Sequence, residues 1–503
     1  MNKDGDRASC IAVLGTGSDV GKSVLVAGLC RVLRDDGVRV APFKPQNMAL
    51  NSFITAAGGE MGRAQVVQAE AAGLAPHVDM NPVLLKPTTD VGAQVILQGR
   101  VHGNMKALEY HAFKKVARDT VFDSYNRLAR QYDVVLVEGA GSPAEINLRD
   151  GDIANMGFAL EAGCPVLLVG DINKGGVFAS LVGTLELIAP EEADLVRGFI
   201  INKFRGDASL LEPAYEQIRA RTGKPFLGTV PWFRDIFLQE EDGIHADVVA
   251  ERSRGDQVRV AVVVPNRISN FTDFDPFLGE EGVRLEFVRP PERLGPADIV
   301  ILPGSKNTID DLDSLRASGL AEDILDARRR GTIVVGVCGG YQMLGHRVRD
   351  PHRVESSREE TAGLGLLDVE TVMERDKVTT QARGRVEAGA LPWCTTGDEL
   401  QGYEIHMGRT TLGPGARPLL RLERPGGEPP HPDGAVSEDG RVLGTYLHGI
   451  FDNDGLRRAL LAPFRGVDTL TDSFAERKEE GYRKLATLLR ECLDLEEIYR
   501  ILG

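Results

Sequence analysis

The sequence predicts an α/β protein: two doubly wound, mainly parallel-sheet domains, closed by a short helical C-terminal segment. Three observations carry this. Short apolar runs rich in β-branched residues recur at 10–14, 134–137, 165–169, 198–201, 299–302 and 332–335, most of them running into glycine or a polar residue. Runs of that length and composition are buried strands, and their alternation with helical stretches is the signature of a wound parallel sheet. The pattern is interrupted at 243–257, a charged stretch with little apolar content, and begins again at Val258. Finally, 503 residues with 42% apolar and 26% charged side chains form an ordinary globular composition, long enough for two or three cores. The predicted domains are 1–242 and 258–455, joined by a 243–257 linker and followed by a 456–503 helical segment.

The net charge of −15 and the lack of any basic run argue against a nucleic-acid-binding surface, while leaving room for a basic pocket and an acidic substrate. The six cysteines are scattered with no C-x-x-C pair, the usage of a reducing compartment and not of a disulfide or zinc framework. The N-terminus is polar and no apolar run approaches membrane-spanning length. Neither a signal peptide nor a transmembrane helix is expected, the predicted location is cytoplasmic, and a homo-oligomer is left open.

In the first domain the strand 10–14 meets G-T-G-S-D-V-G-K-S at 15–23, and 24–29 opens a helix. Strand, glycine-rich loop and helix make a phosphate cradle. Backbone groups of Gly15, Thr16, Gly17 and Gly21 and the helix N-terminus face the phosphates, Lys22 neutralises them, and Ser23 reaches Mg²⁺. The spacing departs from the common G-x-x-x-x-G-K-[ST], since Thr16 stands at the first glycine's place and Gly15 one residue earlier. The strand 38–43 delivers K-P-Q-N-M at 44–48, so Lys44 stands at the carboxyl edge of a parallel strand, where ligands bind in such sheets. The alanine-rich 61–73 is helical, with Arg63, Gln65, Gln68 and Glu70 on a face that serves either solvent or substrate. The strand 134–137 ends in E-G-A-G, which gives Glu138 the position of a Walker-B-like Mg²⁺ carboxylate. Asn202-Lys203, ending the strand 198–204, reads either as a base-recognition site or as a polar turn. The strand 225–231 closes the domain.

In the second domain the strand 332–337 breaks at Cys338-Gly339-Gly340 into a helix beginning Y-Q-M-L. The glycines permit a strained turn that lifts the cysteine out of the sheet, as in a nucleophile elbow. A thiol beside a helix N-terminus is favoured as thiolate, and the N–H of Gly339 can donate to an oxyanion. The P-G-S turn after 297–302 can supply a second oxyanion donor, at Gly304. The stretch 413–440, rich in proline, glycine and charge, reads as a long surface loop. Two of the nine histidines, His406 in G-Y-E-I-H-M-G and His448 in L-G-T-Y-L-H-G, lie in structured, glycine-bounded contexts. His448 ends the stronger strand, 442–447, and is the better general base for Cys338. No third residue to orient its imidazole is evident, because G-I-F-D-N follows it.

Residues 332–345, 402–408 and 444–451 resemble the class I, triad-type glutamine amidotransferases. The loop 15–23, K-P-Q-N-M at 44–48 and E-G-A-G at 138–141 resemble the dethiobiotin-synthetase-like P-loop ATPases. In this order, over nearly the whole chain, they are similar to the cobyric acid synthase family of cobalamin biosynthesis. The resemblance implies a P-loop NTPase-like domain followed by an amidotransferase-like one, with the family's cysteine and histidine at Cys338 and His448. The glutamate usual two residues after that histidine is absent. The resemblance also implies an ATP-, Mg²⁺- and glutamine-dependent ligase acting on small molecules. Its corrinoid substrate would be adenosylcobyrinic acid a,c-diamide, amidated at the b, d, e and g carboxylates to adenosylcobyric acid through an acyl phosphate. Two alternatives remain: the sister enzyme that amidates the a and c carboxylates, and a non-enzymatic P-loop switch with a degenerate amidotransferase domain. The K-P-Q-N-M-A-L-N-S stretch favours the first reading over the sister enzyme.

Overall fold

The computed structural model describes residues 7–89, 92–239, 241, 257–394, 397, 399–464 and 473–503. The chain forms two compact units, neither a continuous run of sequence. One takes the chain through Ala49, resumes at Gly59, and adds Arg477–Gly503. The other takes Leu50–Gly58 and the described residues from 257 to Glu476. The expected linker, 243–257, lies outside the described residues apart from Gln257.

The first unit is organised on six parallel strands: β1 (Ser9–Gly15), β2 (Val40–Phe43), β3 (Val134–Glu138), β4 (Val166–Asp171), β5 (Val196–Phe204) and β6 (Phe226–Pro231). Their order is β6-β5-β4-β1-β3-β2. The central strands are buried on both faces, which is why they read as continuous apolar runs and not as alternation. Because β3 lies between β1 and β2 while β4 lies on the other side of β1, the strand order reverses at β1. The carboxyl ends of β1 and β3 therefore border the crevice where open α/β sheets bind ligands. A second, four-stranded sheet (Gln46–Met48, Val83–Thr89, Gly92–Leu97 and Arg100–Lys106) was not expected from the sequence. Its last strand is largely exposed and polar, so no apolar run marks it.

The helices Phe474–Cys492 and Leu495–Leu502 were expected as one helical segment. Tyr482, Leu485, Ala486, Leu489, Ile498 and Leu502 enter the first unit's core beside the helix Lys22–Asp35. A Cβ on Gly28 would lie 2.4 Å from Leu489 Cδ1, so only glycine allows this approach. The 456–503 segment is thus divided: the helix Asp454–Leu461 packs in the second unit, and Arg477 onward completes the first.

The second unit holds a seven-stranded sheet made of β7 (Val258–Val263), β8 (Val283–Val288), β9 (Ile299–Leu302), β10 (Ile333–Val337), β11 (Ala416–Arg417), β12 (Ala435–Ser437) and β13 (Val442–Thr445). The order is β8-β7-β9-β10-β13-β12-β11, parallel as far as β13 and antiparallel at the β12 and β11 edge. A further, mainly antiparallel sheet is built on the long strands Val369–Val386 and Leu400–Leu412. The two-residue strand Leu447–His448 joins its edge directly after β13, which carries His448 from one sheet to the other. The 413–440 stretch is not a loop throughout. It holds β11, Leu420–Glu423, His431–Asp433 and β12, with Leu420, Leu422, Ala435 and Val436 buried between proline- and glycine-rich turns. Among the described residues no helix is long and apolar enough to cross a membrane.

Candidate active sites

The phosphate-type loop follows β1 as expected. The N–H of Thr16 donates to Val169 O at 2.9 Å, which ties the loop to β4. Gly21 has φ 95°, a left-handed conformation that favours glycine, and a Cβ there would lie 2.1 Å from Asn202 Nδ2. Asn202 donates to Val20 O at 2.8 Å and Lys203 to Asp19 O, so the end of β5 braces the loop. Gly15 is equally confined, for a Cβ on it would meet Val20 and Lys22, whereas Gly17 borders open space. Lys22 reaches across the loop, donating to Gly17 O at 3.0 Å and to Gly141 O at 3.1 Å in the E-G-A-G turn.

At the end of β3, Glu138 is the hub. Its Oε1 accepts from Ser23 Oγ at 2.7 Å and from Lys44 Nζ at 2.8 Å, and its Oε2 accepts from Gln68 Nε2 at 2.5 Å. Burial alone would raise this carboxyl, but the Lys44 charge and the bonds from Lys44, Ser23 and Gln68 hold it below the usual range. Gln68 belongs to the helix Arg63–Ala71, whose polar residues could face solvent or a ligand on sequence grounds; Arg63, Gln65 and Gln68 are buried. Ser23 and Glu138 set two oxygen donors side by side. That fits Mg²⁺, which takes one or two protein oxygens and completes its shell with water and phosphate. Among the described residues no cluster of three or more histidine, cysteine or acidic side chains offers an all-protein cage.

In the second unit β10 runs into Cys338, which has φ 52° and ψ −109°, a strained conformation for a non-glycine residue, and then into the helix Gly339–Leu344. A Cβ on Gly340 would lie 2.0 Å from Leu302 O, so the turn closes against β9 only because that residue is glycine. The turn Gly304–Ser305 lies against both partners of the elbow. A Cβ on Gly304 would be 3.4 Å from His448 Cε1, and one on Gly339 would be 2.7 Å from Ser305 N. Cys338 Sγ lies 3.6 Å from Ile405 O.

His448 is buried, and its Nδ1 is 2.7 Å from Asp273 Oδ2; the second carboxylate oxygen accepts from the Gly449 N–H at 3.0 Å. Asp273 is the residue that sequence reasoning missed. It stands on the short 3-10 helix Phe271–Phe277, far from His448 in sequence, and no spacing connects the two. Burial works against a charged imidazole here, but Asp273 and the Cys338 thiol push the His448 pKa up to about 10. With Nδ1 on Asp273, Nε2 is the ring nitrogen left for the thiol; it is buried and makes no hydrogen bond among the described residues. His406 is differently employed: Nδ1 is 2.8 Å from Gly408 O, Nε2 is 3.5 Å from Glu404, and the ring stacks on Tyr446. Arg424 clamps that glutamate through bonds of 2.7 and 2.9 Å. A thiol, an imidazole and a carboxylate in series can form a thiolate–imidazolium pair that attacks a carbonyl and protonates the leaving group.

Fold and sites together define a P-loop nucleotide-binding domain joined to a glutamine amidotransferase domain. Residues 11–246 match the model of the CobQ/CobB/MinD/ParA nucleotide binding domain, and residues 259–456 match that of the CobB/CobQ-like glutamine amidotransferase domain. The chain is 51% identical over 509 residues to a cobyric acid synthase of Syntrophobacter fumaroxidans, covering 99% of both chains. Cobyric acid synthases of Pelotomaculum thermopropionicum and Citrobacter koseri are each 52% identical, covering 99% and 98% of this chain and 97% and 98% of theirs. The chain belongs to the cobyric acid synthase family, glutamine-dependent, ATP-using amide ligases of cobalamin biosynthesis.

Proposed function

We propose that the protein amidates the b, d, e and g carboxylates of adenosylcobyrinic acid a,c-diamide, consuming ATP and glutamine. The observation that carries this reading is the full-length kinship, which spans both of the centres described above. A carboxylate is a poor acyl donor because its leaving group would be oxide. Transfer of the ATP γ-phosphoryl group to it makes an acyl phosphate, and ammonia then displaces phosphate to leave the amide. Lys22, in the loop, neutralises phosphate charge as it moves, while Asn202 holds the loop in shape. Lys44 fixes Glu138 as an anion beside Ser23. Mg²⁺ held by Ser23 and Glu138 would offset charge on the phosphates.

Nitrogen comes from the second unit. Cys338 thiolate attacks the amide carbon of glutamine, and the N–H groups of Gly339 and Gly304 receive the oxyanion. His448, oriented and held charged by Asp273, gives its proton to the departing ammonia. Water then hydrolyses the thioester to glutamate, with His448 taking a proton from it. The test is the product mass after incubation with candidate corrinoids, ATP, Mg²⁺ and glutamine. Amidation of the a,c-diamide at the remaining four side chains is expected; turnover confined to the a and c positions of unamidated substrate would overturn the assignment.

A further inference from the structure

The second unit contains a stretch that the sequence places far from it. Leu50–Gly58 precedes the amidotransferase match by some two hundred residues, yet it packs within that unit. Its polar residues meet the turn in front of Asp273. Asn51 Oδ1 accepts from the Phe271 N–H at 2.9 Å, and Asn270 Oδ1 accepts from the Ser52 N–H at 3.1 Å. Both asparagines are buried, and the bonds form a reciprocal clasp, buried at Ser52 and half-buried at Phe271. Ser52 O accepts from the Tyr403 hydroxyl at 3.1 Å, and the Tyr403 ring stacks on the His448 imidazole with centroids 5.3 Å apart. Asn270 itself has φ 53°, the left-handed region, and directly precedes the 3-10 helix that carries Asp273. Its Nδ2 is 3.4 Å from His448 Nδ1.

The first N–H groups of a short helix have no partner within it and need one from elsewhere. For Phe271 that partner is Asn51. Without it, a half-buried donor loses its partner at the start of a turn already held in a strained conformation. We propose that Asn51 is a positioning residue of the glutaminase site, fixing with Asn270 the turn that presents Asp273 to His448. The proposal rests on the Cys338–His448–Asp273 reading above. Asn51 acts through Asp273, and it brings into the glutaminase a residue that no local motif of the amidotransferase sequence contains. The groups facing His448 are Asp273, Asn270, Tyr403 and Cys338; displacing the first by a fraction of an ångström weakens the relay while leaving the thiol in place.

The test compares Asn51→Ala, Asn51→Asp and Asp273→Asn in the full-length protein. Glutaminase kcat and KM are measured together with the pH dependence of Cys338 alkylation, and ammonia-dependent synthesis reports folding. Asn51→Ala is expected to lower kcat by roughly 10- to 10²-fold, the range for misplacing a catalytic group, with KM for glutamine little changed. Its alkylation midpoint is expected to move upward by about one pH unit, in the same direction as in Asp273→Asn, because less imidazolium stabilises the thiolate. Asn51→Asp keeps an acceptor for Phe271 and is expected to recover most of the rate. Should Asn51→Ala fail to fold, Asn51→Gln displaces the same oxygen, with the same expected direction. A normal kcat and alkylation profile in the folded Asn51 variant, beside a defective Asp273→Asn enzyme, would overturn the clasp but leave the relay. Normal glutaminase in Asp273→Asn as well would overturn the reading on which it rests.

Discussion

In the proposed mechanism His448 carries the pH behaviour of the glutaminase centre. Its folded pKa, pushed up to about 10, lies above the ordinary value of 6.5. A raised basic group contributes stability that is fully present below the unfolded pKa and is lost as pH rises through the folded one. Thermal midpoints are therefore expected to fall between about pH 6.5 and 10, and the fall is expected to shrink in Asp273→Asn, where the charge that raises the imidazole is gone. Equal losses in the two proteins over that window would contradict the coupling. The two histidines also separate by chemistry. His448→Ala is expected to lower glutamine-dependent turnover by at least ~10²-fold, the lower end for loss of a general acid–base, with ammonia-dependent turnover little changed. His406 is bonded to Gly408 O and Glu404, so His406→Ala is expected to cost less. The check is the glutaminase rate with Cys338 alkylation; an unreactive thiol in His406→Ala beside a nearly normal His448→Ala would reverse the assignment.

At the scale of elements, legibility followed burial. β1, β3, β4, β9 and β10 are buried along most of their length, so each announces itself as an unbroken apolar run, and the candidates that follow them were picked out with them: Lys22 beyond the loop after β1, Glu138 at the end of β3 and Cys338 after β10. The long strand Val369–Val386 was not, because its middle reads E-R-D-K and its exposed and buried residues alternate irregularly. Asp273 escaped for another reason: its partner is supplied by tertiary packing, and although Phe271, Phe274 and Phe277 recur at the three-residue period of a 3-10 turn, nothing in F-T-D-F-D-P-F points to His448. Lys22→Ala and Glu138→Ala are expected to abolish amidation with either nitrogen source while glutaminase survives at least in part. Full activity of Glu138→Ala across a Mg²⁺ titration would make Glu138 structural. The C-terminal helix makes a separate prediction. Leu489 is fully buried against Gly28, so Leu489→Ala is expected to destabilise the first unit by about 2–5 kcal/mol in denaturant unfolding. A change under 1 kcal/mol would mean that the helix contributes little to that core.

For the whole molecule, the chain forms two units whose sequences are interleaved, and the proposed mechanism divides its chemistry between them. The first unit is completed by Arg477–Gly503 and the second by Leu50–Gly58, so neither can be cut out as one segment. The order of motifs was legible in the sequence; these exchanges were not, because a short stretch such as L-N-S-F-I-T-A-A-G and a Leu-punctuated helix do not say which core they join. The central claim is the division of labour: one unit activates a carboxylate with ATP, and the other serves only to release ammonia. Synthesis by Cys338→Ser, measured with glutamine and then with a high concentration of ammonium, tests this most directly. No product with glutamine and near-normal product with ammonium is the expected result; a folded Cys338→Ser protein that ammonium cannot rescue would contradict the account.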